Sequence, residues 1–131
     1  MQFVISGQTP AKKNSKQLFI HGGKPAMVSS KRYLDWEKSA LWELKIIKPV
    51  VLYPTQLSLY FFFRDLRRRD LDNCVSSVCD VLVKAGIIPD DDVLHLRAID
   101  AYYAGVDRVN PRVVGSFSNP HLATSPTPPD A

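Results

Sequence analysis

Alternation of apolar and polar residues marks the first and the central strands of the chain. Residues 2–8 alternate in this way and predict a short strand. Residues 55–64 form a longer run that is rich in aromatic and aliphatic residues, which favour strands. One face of this second strand is apolar throughout, and it consists of Leu57, Leu59, Phe61 and Phe63. We expect that face to lie in the core.

Four further segments predict strands in two pairs. Residues 17–21 and 25–29 flank Gly22-Gly23, a pattern typical of a β-hairpin. Residues 93–103 and 112–117 also have strand-like composition. Because only a short loop separates them, we expect this second pair to be antiparallel neighbours.

Two segments have the periodicity of amphipathic helices. Ser29 or Ser30 is suited to cap a first helix that runs to about Ile47. The expected buried face of this helix consists of Tyr33, Trp36, Ala40, Leu41 and Leu44. A second helix is predicted over residues 72–85, with Gly86 at its C-terminal cap. Its inner stripe consists of Leu71, Val75, Val78 and Leu82.

The mixture of strands and helices predicts an α+β fold. A chain of 131 residues is sufficient for one domain, with a small mixed or antiparallel sheet and two main helices. We assign this domain to residues 1–118. Residues 119–131 hold four of the ten prolines and almost nothing to bury, so we expect a disordered tail rich in Pro, Ser and Thr.

Charge is distributed unevenly along the chain. The net charge is +4, but residues 1–69 carry +9 and residues 70–131 carry −5. Such asymmetry suggests a surface that binds a polyanion beside an acidic site. The simpler interpretation of the same charges is a solvent-exposed surface whose uneven charge distribution has no binding role.

The remaining composition predicts a cytoplasmic protein that does not interact with membranes. No apolar run reaches the roughly 18 residues that a membrane-spanning helix needs, and no signal peptide is recognisable. The two cysteines, Cys74 and Cys79, are too few for a disulfide framework. We expect both to be reduced residues of a core helix.

Two acidic clusters are the candidates for chemistry. In the first, Asp70 and Asp72 precede Asn73, and in an extended segment a spacing of two puts both carboxylates on the same side. The second is the triplet 90–92. Carboxylates held close together repel each other unless a cation lies between them, and Mg²⁺ is bound by one or two carboxylates with water and substrate phosphate.

Each acidic cluster also has a purely structural interpretation. Asp72 could serve only as the N-cap of the second helix, and residues 90–92 could form a solvated turn. An EF-hand calcium loop is excluded, because its fifth and sixth positions would be Cys74 and Val75. The two clusters can meet only if residues 86–90 double back along the helix, since five extended steps span at most about 17 Å.

Several motifs resemble the RusA family of Holliday junction resolvases, which are small endodeoxyribonucleases of bacteria and phages. They are RRRDLDN at 67–73, DVLVKAG at 80–86, and the pair Asp90-Asp91 after a short apolar step. NSK at 14–16 and SSKRYLDWEK at 29–38 are similar to phage-type members. The resemblance covers most of residues 1–118.

The resemblance implies a homodimer that nicks four-way DNA junctions with Mg²⁺, or with Mn²⁺ as the alternative ion. Three aspartates would be the metal ligands and catalytic residues, and they match Asp70, Asp72 and Asp91. Asn73 and Asp90 would support them. One position departs from the family pattern, because Ser76 stands where the well-studied form has a lysine.

The main hypothesis is therefore a Mg²⁺-dependent, structure-selective endonuclease. Its contacts to backbone phosphates would give affinity without sequence information, and the candidates are Lys12, Lys13, Lys16, Arg67, Arg68 and Arg69. The departure at Ser76 leaves open a non-catalytic protein that binds branched DNA. A third hypothesis is a small α+β protein whose basic face docks an acidic partner.

Overall fold

The computed structural model describes residues 2–11, 16–21, 24–48, 51 and 55–118, with the backbone alone in 16–21 and 24–29. Every predicted strand and helix is present, and the boundaries agree within three residues. In chain order the elements are β1 (Gln2–Ser6), β2 (Lys16–His21), β3 (Lys24–Ser29), α1 (Lys31–Ile47), β4 (Thr55–Phe63), α2 (Leu71–Lys84), β5 (Leu96–Val106) and β6 (Arg112–Ser118).

The main sheet has four strands in the order β1-β6-β4-β5. β4 and β5 are parallel, whereas β6 is antiparallel to both of its neighbours, β1 and β4. β2 and β3 form a separate antiparallel pair, as the predicted hairpin requires. The α+β class and the mixed sheet are thus confirmed.

The expected pairing of the last two strands is wrong. β4 lies between β5 and β6, and α2 is the crossover that makes β5 parallel to β4. After β5 the chain crosses the end of β4, where the Asp107 N–H donates a hydrogen bond of 2.8 Å to the Phe63 carbonyl. Both edges of β4 are therefore paired, and one face of the strand is buried in the core.

β5 also begins three residues later than predicted, at Leu96. The Asp92 side chain causes this shift, because its Oδ1 accepts hydrogen bonds from the backbone N–H groups of Leu94 (3.1 Å) and His95 (3.2 Å). A carboxylate that bonds to nearby N–H groups holds the chain in a turn. The apolar residues Val93 and Leu94 consequently lie exposed in that turn.

The core lies between the two helices and one face of the main sheet. On β4, Leu57, Leu59 and Phe61 are fully buried, and Phe63 is nearly so. Helix α1 contributes Trp36, Ala40 and Leu44 to the same cluster, and α2 contributes Val78, Val81 and Leu82. The predicted inward face of β4 is confirmed, and that of α1 is confirmed except for Leu41, which is half-buried like Leu71 and Val75 of α2.

Helix α1 begins as the sequence predicts. Ser30 is its N-cap, and the Ser30 hydroxyl accepts a hydrogen bond of 3.2 Å from the Tyr33 N–H. The helix ends at Lys48, whose backbone is left-handed with a φ of 45°. The two helices of the described chain are not long and apolar enough to span a bilayer. The predicted tail at 119–131 lies outside the described residues.

Candidate active site

Several loops meet at the end of the sheet where β4 and β5 finish. Because these strands are parallel, their carboxyl ends are adjacent, a place where ligands often bind in such sheets. Residues 64–69, which we call the arginine loop, connect this edge to α2. The segment after β1 reaches the same place, since Gln8 Oε1 accepts a hydrogen bond of 2.9 Å from the Arg64 N–H.

Asp70, Asp72 and Asn73 form the start of α2. Asp70 is the N-cap residue, but its side chain makes no capping hydrogen bond. Instead the Asn73 amide donates a bond of 3.3 Å to Asp70 Oδ2, and the Asn73 N–H donates one of 2.9 Å to Asp72 Oδ1. Asn73 thus contacts both carboxylates, which lie exposed at the positive end of the helix.

Two expectations about this motif are wrong. Asp72 belongs to the first turn of α2, so it does not share an extended segment with Asp70. What the two carboxylates share is their contact with Asn73 at the start of the helix. Asp72 is also not the N-cap, because that position belongs to Asp70. That the two side chains together hold a metal ion stays a prediction.

The second acidic cluster lies beside the middle of α2. The helix ends before Gly86, which has a φ of 73°, and the N–H groups of Ile87 and Ile88 both donate to the Leu82 carbonyl. Ile88 is fully buried, so the chain turns back against the helix. Burial raises the pKa of the Cys79 thiol to about 11, and the Asp91 carboxylate contributes to the shift.

Asp91 therefore lies near enough to Cys79 for its charge to act on that thiol. Cys79 is seven residues after Asp72, which corresponds to almost two full turns and about 10 Å along the axis. The described residues contain no group of three Asp, Glu, His or Cys side chains close enough to surround a metal ion. Asp70 and Asp72 alone match the one or two carboxylates that Mg²⁺ takes from a protein when water and phosphate complete its shell.

Asp65 organises the arginine loop. Its carboxylate accepts a short hydrogen bond from the Arg69 guanidinium, and Arg64 and Arg67 each lie 3.8 Å from it. The bond from Arg69 holds the Asp65 pKa below its usual range. Arg69 also stacks over the Phe63 ring at 4.8 Å, which attaches the loop to the core.

The predicted DNA contacts differ in their accessibility. The Arg67 side chain is 82% exposed and Arg68 is also exposed, whereas only 13% of the Arg69 side chain is accessible. Lys12 and Lys13 lie outside the described residues. Lys16 begins β2, and its side chain lies outside them as well.

Ser76 and Ser77 are neighbours with different roles. The exposed Ser76 hydroxyl donates a bond of 3.1 Å to the Asp72 carbonyl within the helix. The fully buried Ser77 hydroxyl donates one of 2.6 Å to the Pro10 carbonyl. Sequence reasoning missed both Ser77 and Asp65. The four-residue spacing of Asp65 and Arg69 was a signal for an ion pair, but nothing local could indicate the contact of Ser77 with Pro10.

The loops and carboxylates above lie almost entirely within a segment that matches a known protein family. Residues 8–113 match the family model described as Endodeoxyribonuclease RusA. A similar curated protein is the Crossover junction endodeoxyribonuclease RusA of Aquifex aeolicus (strain VF5), which is 30% identical over 87 residues. That match covers 65% of this chain and 68% of the relative.

The chain belongs to the RusA endodeoxyribonuclease family, and the resemblance found in the sequence is confirmed. It is therefore an enzyme, a nuclease that acts on DNA. The matched segment includes both acidic clusters, the arginine loop and Ser76.

Proposed function

We propose that this chain nicks four-way DNA junctions in a reaction that depends on Mg²⁺ or Mn²⁺. The observation that carries this proposal is the pair of exposed carboxylates at the start of α2, beside the arginine loop. The relative from Aquifex aeolicus, named as a crossover junction endodeoxyribonuclease, supports the choice of substrate. The domain would span residues 1–118.

Asp70 and Asp72 would hold the metal ion, and Asp91 would complete the site. When bound, a divalent ion lowers the pKa of water and neutralises charge on the phosphate and on the leaving oxygen. Asn73 fixes the carboxylates of Asp70 and Asp72 through its two hydrogen bonds. Asp90 supports Asp91 by accepting a hydrogen bond of 2.8 Å from the Asp91 N–H.

Basic residues would bind the DNA backbone around these carboxylates. Arg67 and Arg68 are the exposed members of the arginine loop, and Arg69 holds the loop in place through Asp65 and Phe63. Lys12, Lys13 and Lys16 would extend the contact surface beyond Pro10. Contacts of this kind depend on phosphate charge and leave selection of the junction to its shape.

We further propose that the enzyme works as a homodimer in the cytoplasm. A four-way junction offers two symmetric strands, and a dimer with a two-fold axis presents two identical sites to them. The buried, unpaired thiols of Cys74 and Cys79 fit a reducing compartment.

Incubation of a labelled four-way junction with the protein and Mg²⁺ tests the proposal. We expect paired nicks on opposing strands, no nicks in EDTA, and no nicks in a linear duplex of the same sequence. The Asp72→Asn variant serves as the inactive control. Equal cutting of the duplex, or cutting in EDTA, would contradict the proposal.

A member of this nuclease family that has lost turnover and only binds branched DNA is the second candidate function. Ser76 carries no charge, and its hydroxyl is bonded to the Asp72 carbonyl of its own helix. The position of the family's lysine therefore holds no cation in this chain. Tight binding of the junction without any nicking in Mg²⁺ or Mn²⁺ would favour this candidate.

A further inference from the structure

A cavity of about 360 Å³ opens between the arginine loop, the start of α1 and the segment that follows β1. Ser30 and Ala11 form part of its wall. The charged residues that line it are all arginines, namely Arg32, Arg64, Arg67, Arg68 and Arg69. Asp65 lines the neighbouring cavity instead, so no carboxylate lines this one. Asp65 contacts Arg64, Arg67 and Arg69 from outside the cavity, and the positive charge that remains inside it favours an anion.

Arg32 is the member of this cavity that the candidate active site does not explain. It lies in the first turn of α1, exposed, and among the described residues no carboxylate forms an ion pair with it. The positive end of a helix dipole disfavours cations and favours anions. Nevertheless α1 begins with Lys31 and Arg32 and has no acidic residue in its first turn. An anionic ligand at this point would offset that unfavourable arrangement.

Arg64 approaches the cavity from the other side. Half of its side chain is exposed, and its contact with Asp65 is long, at 3.8 Å. Its backbone is fixed by the hydrogen bond from its N–H to Gln8. Among the described residues the Arg64 guanidinium thus has one carboxylate partner, the Asp65 group at 3.8 Å, and half of its side chain remains accessible to a ligand.

We propose that this arginine cavity binds a second backbone phosphate of the DNA, distinct from the phosphate that is cut, through Arg32 and Arg64. Guanidinium groups bind phosphate oxygens in a bidentate manner. Arg69 lines the cavity and directly precedes Asp70, so a phosphate bound there fixes the strand next to the carboxylates. This inference rests on the proposed function because it takes DNA to be the substrate.

Binding of a fluorescent four-way junction in EDTA, followed by anisotropy at several salt concentrations, tests the cavity without any cleavage. The variants are Arg32→Gln, Arg64→Gln and the double variant. Arg97→Gln is the matched control, because Arg97 is exposed at the start of β5, at the opposite end of the sheet. Circular dichroism melts confirm that each variant is folded.

We expect each single variant to raise Kd roughly tenfold at moderate salt, since a hydrogen bond to a charged group is lost. The slope of log Kd against log salt should fall by about one unit for each variant and about two for the double variant. Arg32→Lys should restore the slope. Arg97→Gln should change neither quantity.

The experiment distinguishes failure of the phosphate site from failure of the proposed nuclease function. If the unmodified protein nicks junctions while Arg32→Gln and Arg64→Gln bind with unchanged Kd and slope, the cavity is not a phosphate site and the inference is wrong. If the unmodified protein never nicks but these variants weaken binding as described, the cavity is supported and the nuclease proposal fails.

Discussion

The Ser77 hydroxyl donates a hydrogen bond of 2.6 Å to the Pro10 carbonyl, and both residues are buried. Sixty-seven positions separate them in sequence. This bond attaches the segment after β1 to the middle of α2, and the basic residues Lys12 and Lys13 follow that segment directly. Helix α2 therefore fixes the point at which this basic segment begins. The same helix carries the candidate metal ligands at its N-terminus.

Ser77→Ala should lower stability and Ser76→Ala should not. Removal of the Ser77 hydroxyl leaves the Pro10 carbonyl buried without its partner, which costs about 1–3 kcal/mol. We expect a fall in Tm of roughly 3–10 °C. Ser76 is exposed and bonds only within its helix, so alanine there should be neutral or slightly stabilising. Thermal melts of the two variants provide the comparison, and equal Tm values would show that the bond to Pro10 is unimportant.

Asp70→Asn, Asp72→Asn and Asp91→Asn should each reduce junction nicking by about 10²–10³ or more, since each removes a metal-binding charge. Binding in EDTA should remain or become tighter, because less negative charge faces the phosphates. Asp35→Asn is the matched control, since Asp35 is exposed on α1 and outside both acidic clusters.

Asp91 is the most informative of the three variants, because Asn73 links Asp70 and Asp72 but no hydrogen bond among the described residues links Asp91 to either of them. If Asp91→Asn cuts at the rate of the unmodified protein while the other two variants are inactive, the site consists of Asp70 and Asp72 alone.

Alkaline pH should destabilise the fold through its buried thiols. Burial raises the pKa values of Cys74 and Cys79 from 9.0 to about 11, so between these values the unfolded chain loses protons that the folded chain keeps. The contribution of the two thiols to the free energy of unfolding is therefore complete below about pH 9, and it is lost as the pH rises toward 11. The loss is on the order of 2–3 kcal/mol for each thiol.

Urea titrations at pH 8, 9, 10 and 11 measure this decline. Cys79→Ala removes one titrating group, so its stability should depend less steeply on pH, even though the absolute value falls with the lost packing. A pH dependence as steep as that of the unmodified protein would show that the Cys79 thiol does not contribute. The native protein should also react slowly with thiol reagents at pH 8, because both thiols are buried and protonated.

Asp65→Asn should slow nicking more than it affects binding. The Asp65 carboxylate holds Arg69 and lies near Arg64 and Arg67, so its loss frees the loop that leads into Asp70. We expect the rate to fall roughly 10–100-fold because the carboxylates lose their position. Kd should stay constant or fall, since a negative charge is removed.

Asp107→Asn is the control for this prediction. Asp107 also pairs with an arginine, Arg112 at 3.0 Å, and its pKa is likewise lowered, first by the hydrogen bond from the Asn110 N–H. Its loop contains no candidate metal ligand. If both variants slow nicking equally, the effect is one of general stability and not of the arginine loop.

The sequence predicts those features that depend on local periodicity and caps. The alternation of Leu57, Leu59 and Phe61 identifies the buried face of β4, and Ser30 and Gly86 mark helix ends through their own chemistry. The neighbour of β6 could not be predicted, because alternation shows which face is buried but not which strand lies beside it. Residues 67–69 are all arginines, so the sequence does not distinguish them. Arg69 differs from the other two through its contacts with Asp65 and Phe63.

The cavity lined by Arg32 could not be predicted for a related reason. Arg32 and Arg64 are 32 positions apart, and only the packing of α1 beside the arginine loop brings both to one cavity. The same limit applied to the acidic clusters. Spacing alone predicted an extended segment that holds both Asp70 and Asp72, whereas Asp72 already belongs to the first turn of α2.

Ser76→Lys tests the position at which the chain departs from its family. Ser76 is exposed one turn after Asp72, and residues four apart share a helix face. A lysine there can reach toward the helix start, whereas the serine hydroxyl is bonded to the Asp72 carbonyl. We expect unchanged or slightly higher Tm, because lysine is the better helix former. Nicking should rise, by up to about 10²–10³, if the ammonium contacts the phosphate that is cut.

Ser39→Lys is the control for Ser76→Lys, since Ser39 is exposed on α1 and adds the same charge elsewhere. Tighter binding without faster nicking in both variants would indicate only a general gain of positive charge. If Ser76→Lys leaves the rate unchanged while Arg67→Ala or Arg68→Ala removes activity, the arginine loop supplies the charge that lysine supplies in the family. If none of these substitutions changes the rate, no cation near this turn of α2 assists the reaction.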